Sequence, residues 1–183
     1  MALKATICKA RLQIADMDSN YYAEHALTVA RHPSETGERM MARLLAFALN
    51  AHEHLEFGAG LSDTDEPGLW RKDLTGAIAH WIEVGQPDGK RVLRACGRAD
   101  RVTVYAYGDR AELWWKPIAE KLARAKNLAV WRIPASAGPA LGELAARAMQ
   151  LQCTVQEGQI WFSDAARTVQ LELTELKAGE AYS

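Results

Sequence analysis

Apolar and polar residues alternate at both ends of the chain, and this pattern predicts strands with one buried face. Residues 3–14 alternate in this way, residues 16–20 form a polar turn, and residues 22–31 have the pattern of a returning strand. The tail predicts a three-stranded meander with turns at Glu157-Gly158 and at residues 164–166. Its expected core side carries Leu151, Cys153, Val155, Val169, Leu171 and Leu173. We expect these terminal strands to form one packed extension of a central sheet.

Between the two ends, helical and strand patterns alternate, which is typical of a mixed α/β sheet. A helical apolar stripe runs through residues 35–54, and Ser34 is its expected N-cap. The elements predicted after it are a strand near residues 69–72, a strand at 77–84, a helix over about 89–99 capped by Asp88 and a strand at 101–107. They are followed by a helix from 108 that is interrupted or kinked at Pro117, a strand at 127–133 and a helix from 136 to about 149.

The strand at residues 77–84 is the most informative segment. It is apolar on both faces, so it belongs in the middle of a sheet. Period two places Glu83 on the face of Trp81 at the end of the strand, and His80 with Ile78 on the opposite face. A buried carboxylate is costly unless it is paired, bound to a metal or protonated. Glu83 is therefore a candidate site residue, whereas we expect His80 to be a hydrogen-bonded core histidine.

Composition and charge narrow the class of protein. The 183 residues are 49% apolar and 25% charged with a net charge of −1, so nucleic-acid binding would need a local basic patch. The sequence has no apolar run that could cross a membrane and no signal-peptide core at its start. We expect a single cytoplasmic domain over residues 1–183 that is monomeric and makes no membrane contact. The three distant cysteines are typical of reduced thiols, not of a disulfide frame or zinc site.

Two further groups of acids are candidates for chemistry. Glu38 continues the core-facing stripe of the first helix into its first turn, although first-turn acids commonly serve only the helix N-terminus or pair with an arginine. Asp63, Asp65 and Glu66 precede the strand at 69–72, where such acids are usually solvated. If the sheet places them beside Glu83, the carboxylates would repel one another, and a divalent cation would relieve that repulsion.

A basic face follows Glu83 on the next predicted helix. Its members are Lys90, Arg91, Arg94 and Arg98, with Arg101 after them. Most such runs are solvated surface, but the first turn of this helix faces the same edge of the sheet as Glu83. Cations at that place could offset the carboxylates, bind phosphates or stabilise a phosphoryl-transfer state.

The order of elements resembles the αβββαβ core of the PD-(D/E)XK nuclease-like superfamily, with acids on the first helix, before the middle strand and at the end of the third strand. Several phrases resemble a narrower group, the YaeQ family of bacterial proteins, over nearly the whole chain. They are RHPSET at 31–36, ERMM at 38–41, DEP at 65–67, WIE at 81–83 with Gly85, PD at 87–88 and WW at 114–115. The resemblance implies a restriction-endonuclease-like fold, with a mixed central sheet flanked by helices and extra antiparallel strands at both ends.

The resemblance does not settle the activity, but we expect an acid-lined pocket that binds Mg²⁺ or Mn²⁺, and an active enzyme of this kind would hydrolyse phosphodiesters of nucleic acid. Asp65 and Glu83 would hold the metal, with Glu66 as the alternate ligand. Glu38 would orient water or complete the metal shell, and Arg91 would steady the phosphate. Further phosphate contacts would come from Lys90 and Arg94.

One position departs from the nuclease pattern, which places a lysine two residues after the motif glutamate. Gly85 stands there, so Gln86, Lys90 or Arg91 would have to replace the lysine. Two alternatives to the enzyme therefore stay open. One is a non-catalytic nucleic-acid-binding or regulatory module that keeps the fold, and the other is a buried ion network that serves only the fold.

Overall fold

The computed structural model describes residues 4–59, 61 and 65–180, and in them it contains two mixed sheets and four helices. The strands are β1 Thr6–Asp16, β2 Tyr21–Arg31, β3 Leu55–Phe57, β4 Leu69–Lys72, β5 Ile78–Val84, β6 Ala99–Ala106, β7 Leu128–Arg132, β8 Ala148–Gln156, β9 Gln159–Ser163, β10 Thr168–Glu172 and β11 Thr174–Lys177. The helices are α1 Gly37–Leu49, α2 Gly89–Arg98, α3 Ala111–Leu122 and α4 Ala137–Gly142.

Strands from both ends of the chain form the first sheet. Its order is β10-β9-β8-β1-β2, with β1 antiparallel to β2 and parallel to β8. The predicted meander is confirmed as β8, β9 and β10. The terminal strands do pack together as expected, but they form a sheet of their own, because β1 and β8 hydrogen-bond to each other and not to the central strands.

The second sheet contains the middle of the chain, in the order β11-β7-β6-β5-β4-β3. Strands β5, β6 and β7 are parallel, and β4 pairs antiparallel with β5. The central position predicted for β5 is therefore confirmed. We call the end of this sheet where β5, β6 and β7 finish the carboxyl edge, and the opposite end the amino edge.

Two hydrophobic cores lie on the two faces of the second sheet. The larger core fills the space between the sheets, where α1 is buried on all sides from Met40 to Ala48. The smaller core lies on the other face, where Trp81 packs among residues of β6, α2 and α3. Ile78 packs against this smaller core, although period two predicts it on the other face. The pairing of β4 with β5 shifts register between Arg71 and Lys72, and this irregularity interrupts the strict alternation.

Several helix boundaries differ from the sequence predictions. Helix α3 begins at Ala111, not at residue 108, and continues through Pro117. Thr36, not Ser34, is the N-cap of α1, because its side chain accepts a hydrogen bond from the Arg39 N–H while Ser34 bonds His32. The helix predicted to reach Met149 ends at Gly142. The residues from 148 onward pair with β1 instead, and that pairing overrides their helical pattern. No helix within the described part of the chain is long and apolar enough to cross a membrane.

Candidate functional site

The carboxyl edge of the second sheet gathers the starts of α2 and α3. Gly85 and Gly108 follow β5 and β6 with φ of +99° each, a conformation that favours glycine, and they turn the chain out of the sheet. The Gln86 side chain donates to the Tyr107 carbonyl over 2.9 Å and holds the two turns together. Asp88 caps α2 as predicted by accepting from the Lys90 N–H. Ligands of open α/β sheets bind outside the carboxyl ends of the strands, so this edge is the natural place for a site.

Glu83 lies at this edge as a buried, paired carboxylate that is 3% exposed. Its Oε1 accepts from Trp81 Nε1 and from Arg91 Nε, each over 2.8 Å. Burial raises the pKa of Glu83 and outweighs the opposite effect of the Arg91 charge. The described residues thus offset the cost of burying Glu83 with an arginine pair and an indole hydrogen bond.

Arg91 joins Glu83 to the loop before β4. Besides its bond to Glu83, Arg91 donates from Nη2 to the Glu66 carbonyl over 2.8 Å. The Glu66 carboxylate is directed elsewhere, because its Oε2 accepts from the Ala59 N–H over 2.6 Å. The side chain of Arg91 therefore connects the end of β5 with the acidic loop, but the contact to Glu66 uses its main chain.

The other predicted acids are more dispersed. Asp65 is exposed, and its carbonyl oxygen accepts a 3.5 Å bond from Arg98, while Asp63 lies outside the described residues. Glu38 is half-buried in the first turn of α1, with its carboxylate against the backbone of Gly138 in α4, and burial raises its pKa. Within residues 4–59, 61 and 65–180, no three His, Cys, Asp or Glu side chains are grouped to hold a metal ion. In the described part of the chain, the carboxylates of Glu38, Glu66 and Glu83 therefore do not converge on one point.

A second buried carboxylate, Glu35, is an important residue that the sequence patterns do not reveal. It is 4% exposed and receives two bonds from Arg43, at 2.8 Å from Nε and 2.6 Å from Nη2, and one from Arg39 at 2.9 Å. Arg43 also donates to the Ala30 carbonyl, so the network joins α1 to β2. The signal available in the sequence is Arg43 itself, a cation inside the apolar stripe of α1.

The Glu35 and Glu83 clusters are close enough to interact electrostatically. Burial raises the pKa of Glu83 and that of Tyr107, which follows β6 at the same edge, and the charge of Arg39 partly opposes both shifts. We call this set the carboxyl-edge ion network; its members are Glu35, Arg39, Arg43, Glu83 and Arg91. Within it, Arg43 bonds α1 to Glu35 and to β2, and Arg91 bonds α2 to β5 and to the acidic loop.

The exposed cations at this edge belong to the outer side of α2. Lys90, Arg94 and Arg98 are exposed at four-residue spacing, so they form one stripe about 12 Å long. Arg98 stacks over the Trp81 ring with 5.1 Å from its guanidinium carbon to the centroid. Neither Lys90 nor Arg94 makes a side-chain ion pair with any described residue. This stripe can therefore receive phosphate groups, as predicted for Lys90 and Arg94, whereas Arg91 is engaged with Glu83.

Comparison with known proteins gives one consistent family. A sequence model described as YaeQ protein matches residues 1–173. An uncharacterised YaeQ protein of Salmonella typhi is 47% identical over 175 residues, covering 95% of this chain and 97% of that protein. A YaeQ protein of Escherichia coli is 43% identical with the same coverage. The crystal structure of a YaeQ protein from Xanthomonas axonopodis superposes with a TM-score of 0.92 at 47% identity, covering 95% of this chain and 99% of that one.

Proposed function

Since the chain belongs to the YaeQ family, we propose that it is a non-catalytic nucleic-acid-binding module built on a PD-(D/E)XK nuclease-like core. The order of elements supports the core, because α1, β3, β4, β5, α2 and β6 follow one another as αβββαβ. Glu38, the acids before β4 and Glu83 fall on the elements where that core carries acids.

The observation that carries the proposal is the pairing of Glu83 with Arg91. Oε1 of Glu83 already accepts from Arg91 and from the Trp81 indole, so a metal at this carboxylate would compete with the Arg91 charge. At the position of the motif lysine, Gly85 provides no side chain, and the turn at φ +99° favours glycine. Arg91, one of the residues that could replace the motif lysine, is therefore engaged in pairing a buried carboxylate.

The exposed stripe of α2 supports the binding function. Its cations project from a helix that has no acid in its first turn, and the aromatic Trp81 lies beneath Arg98. Because the net charge is −1, attraction to a polyanion must come from such a local patch. Contacts between lysine or arginine and phosphate give affinity that does not depend on base sequence.

The direct test measures the binding of a labelled 20-nucleotide single strand and the matching duplex by fluorescence anisotropy. We expect wild type to bind and the affinity to fall steeply with salt, because phosphate contacts release counterions. The double variant Lys90→Gln with Arg94→Gln should bind at least tenfold more weakly. Its matched control is Lys9→Gln with Arg147→Gln, which removes the same charge from exposed residues at the first sheet. Equal affinity in the two double variants, or no binding by wild type, would refute the proposal.

A metal-dependent phosphodiesterase is the second candidate, and one contact favours it. The Arg91 guanidinium touches both the Glu83 carboxylate and the Glu66 carbonyl, so the acidic loop approaches Glu83. Millimolar Mn²⁺ would then raise the melting temperature of wild type but not of Glu83→Ala. Wild type would also nick DNA or RNA with Mn²⁺ while Glu83→Ala would not. We expect neither effect, and observing both would replace the binding module with the enzyme.

A further inference from the structure

A second candidate site lies at the opposite end of the same sheet, on the side of α1. A cavity of about 340 Å³ opens there between the C-terminal end of α1 and the amino edge. Arg71, His80 and Arg101 contribute to its lining from the sheet, and Asn50 and His52 from the end of α1. Its volume falls in the range of small-molecule sites.

The sheet register aligns the three lining residues. Arg71 of β4 is paired with His80 of β5, and His80 is paired with Arg101 of β6. The two arginines therefore flank one histidine in a row across three strands, about 10 Å apart at the backbone. Their long side chains can close over that distance around one anion.

The two arginines differ from those of the carboxyl-edge ion network because neither pairs with a carboxylate of the described residues. In the described part of the chain, neither the Arg71 nor the Arg101 guanidinium makes a hydrogen bond or an ion pair. Asp16 also lines the cavity, but its Oδ1 accepts from the N–H groups of Asp18 and Ser19. With both histidines neutral, the lining keeps a net positive charge.

The end of α1 does not need the arginines either. Asn50 donates from its side chain to the Ala46 carbonyl over 2.8 Å and so satisfies a helix-end acceptor. It also donates to the Tyr105 hydroxyl over 2.8 Å, which fixes the wall of the cavity. The guanidinium groups of Arg71 and Arg101 are therefore available to a ligand in the cavity.

The histidines add neutral polar groups. His52 Nδ1 accepts from the His54 N–H over 3.0 Å, so the neutral ring carries its proton on Nε2 and can donate. His80 bonds the Thr103 hydroxyl through Nε2 over 2.8 Å. Burial, together with the charges of Arg101 and Arg71, lowers the pKa of His80 to about 3. The His80 ring is therefore neutral at physiological pH.

We propose that this cavity binds a small phosphate ester, held by Arg71 and Arg101 on either side of His80. Guanidinium groups match the geometry of phosphate oxygens, and a preformed concave site favours a compact ligand over an extended polymer. This site lies at the amino edge on the α1 face, whereas the proposed nucleic-acid stripe lies on α2. The two proposals can therefore be tested independently of each other.

The test titrates wild-type protein with inorganic phosphate and with adenosine monophosphate, followed by calorimetry and by the shift in melting temperature. We expect both ligands to bind and to raise the melting temperature by mass action. Arg101→Gln should weaken binding about tenfold, and Arg71→Gln with Arg101→Gln should abolish it. The matched control Lys121→Gln with Arg124→Gln removes the same charge from exposed positions at the end of α3 and should bind like wild type.

Each outcome decides the proposal. Both arginines are at least partly exposed, and circular dichroism will establish that the variants are folded. No binding by wild type, or equal binding by the cavity variant and its control, overturns the proposal. If the cavity variant loses affinity only for the 20-nucleotide strand and not for phosphate or the mononucleotide, the cavity serves a polymer and the small-ligand proposal is also wrong.

Discussion

The two ends of the second sheet use arginine in opposite ways. At the carboxyl edge, Arg39, Arg43 and Arg91 each form an ion pair with a buried carboxylate of the protein. At the amino edge, Arg71 and Arg101 flank a buried neutral histidine instead. An arginine near a cavity or a sheet edge therefore indicates an anionic ligand only if no carboxylate of the protein pairs with it.

The comparison also shows that a carboxylate with a shifted pKa is not by itself evidence of a functional site. Glu83 is a buried carboxylate beside a cation at the end of a parallel strand, and such groups are frequent at functional sites. Here the cation is an arginine of the chain, and structural ion pairs perturb acids in the same way. The largest predicted effects below therefore concern stability, and they test whether the carboxyl-edge ion network is structural.

The strongest test of that reading is Glu35→Gln. Arg43 is 2% exposed, so losing the carboxylate leaves a buried cation without its counterion. Breaking a buried pair in this way costs about 3 to 5 kcal/mol of unfolding free energy. Urea unfolding should show this loss. Glu143→Gln breaks the exposed pair with Arg167 and should cost less than about 1 kcal/mol. Similar small losses in both variants would contradict a structural role for Glu35.

At the amino edge, the matching prediction concerns acid. The pKa of His80 is lowered to about 3 in the folded protein from an ordinary value of 6.5. Because the unfolded chain binds the proton first, stability present above pH 6.5 is lost as the pH falls towards 3. The loss from this group between pH 7 and pH 4 is about 3 kcal/mol.

His80→Gln removes this titration and should flatten the fall in unfolding free energy measured by urea at several pH values. His54→Gln serves as the control, because it makes the same substitution at an exposed histidine. If the profile of His80→Gln keeps the full wild-type slope, then His80 is not the buried neutral group that distinguishes this edge.

Local sequence patterns correctly predicted the elements that depend on residues close to each other in the sequence. The doubly apolar strand at Glu83, the Asp88 cap and the turn at Glu157-Gly158 all depend on neighbours within a few residues. The separate first sheet was not predictable in this way, because β1 and β8 are distant in sequence and their parallel pairing leaves no local mark. The same pairing explains why the last predicted helix was too long.

The same distinction between local and distant contacts explains which site residues could be predicted. The burial of Glu83 followed from its strand, and its proximity to Arg91 followed from the short turn between β5 and α2. Glu35 and the row of Arg71 and Arg101 were missed, because their environments depend on how α1 and β4 pack against distant strands. Three acids in the expected order along the chain did not converge, since Glu38 faces α4 while Glu83 faces α2.

The smallest of these predicted effects separates the two roles of cations on α2. Arg91→Gln leaves Glu83 buried without its counterion, but the Arg91 side chain is 27% exposed and water can partly replace it. We expect a loss of about 2 kcal/mol of unfolding free energy, below the cost at Glu35. Arg94→Gln, on the exposed stripe, should change stability by less than about 0.5 kcal/mol and should weaken nucleic-acid binding.

The pH dependence of the Arg91→Gln cost gives the sign of the interaction. Burial already raises the pKa of Glu83, and removing the arginine raises it further. A carboxyl with a raised folded pKa favours the folded state below its unfolded pKa, and this contribution is lost as the pH rises through the folded pKa. The penalty of Arg91→Gln should therefore be larger at pH 8 than at pH 5, and Glu83→Gln combined with Arg91→Gln should remove that difference. A penalty that does not depend on pH would mean that Arg91 stabilises the loop through the Glu66 carbonyl and not through the charge of Glu83.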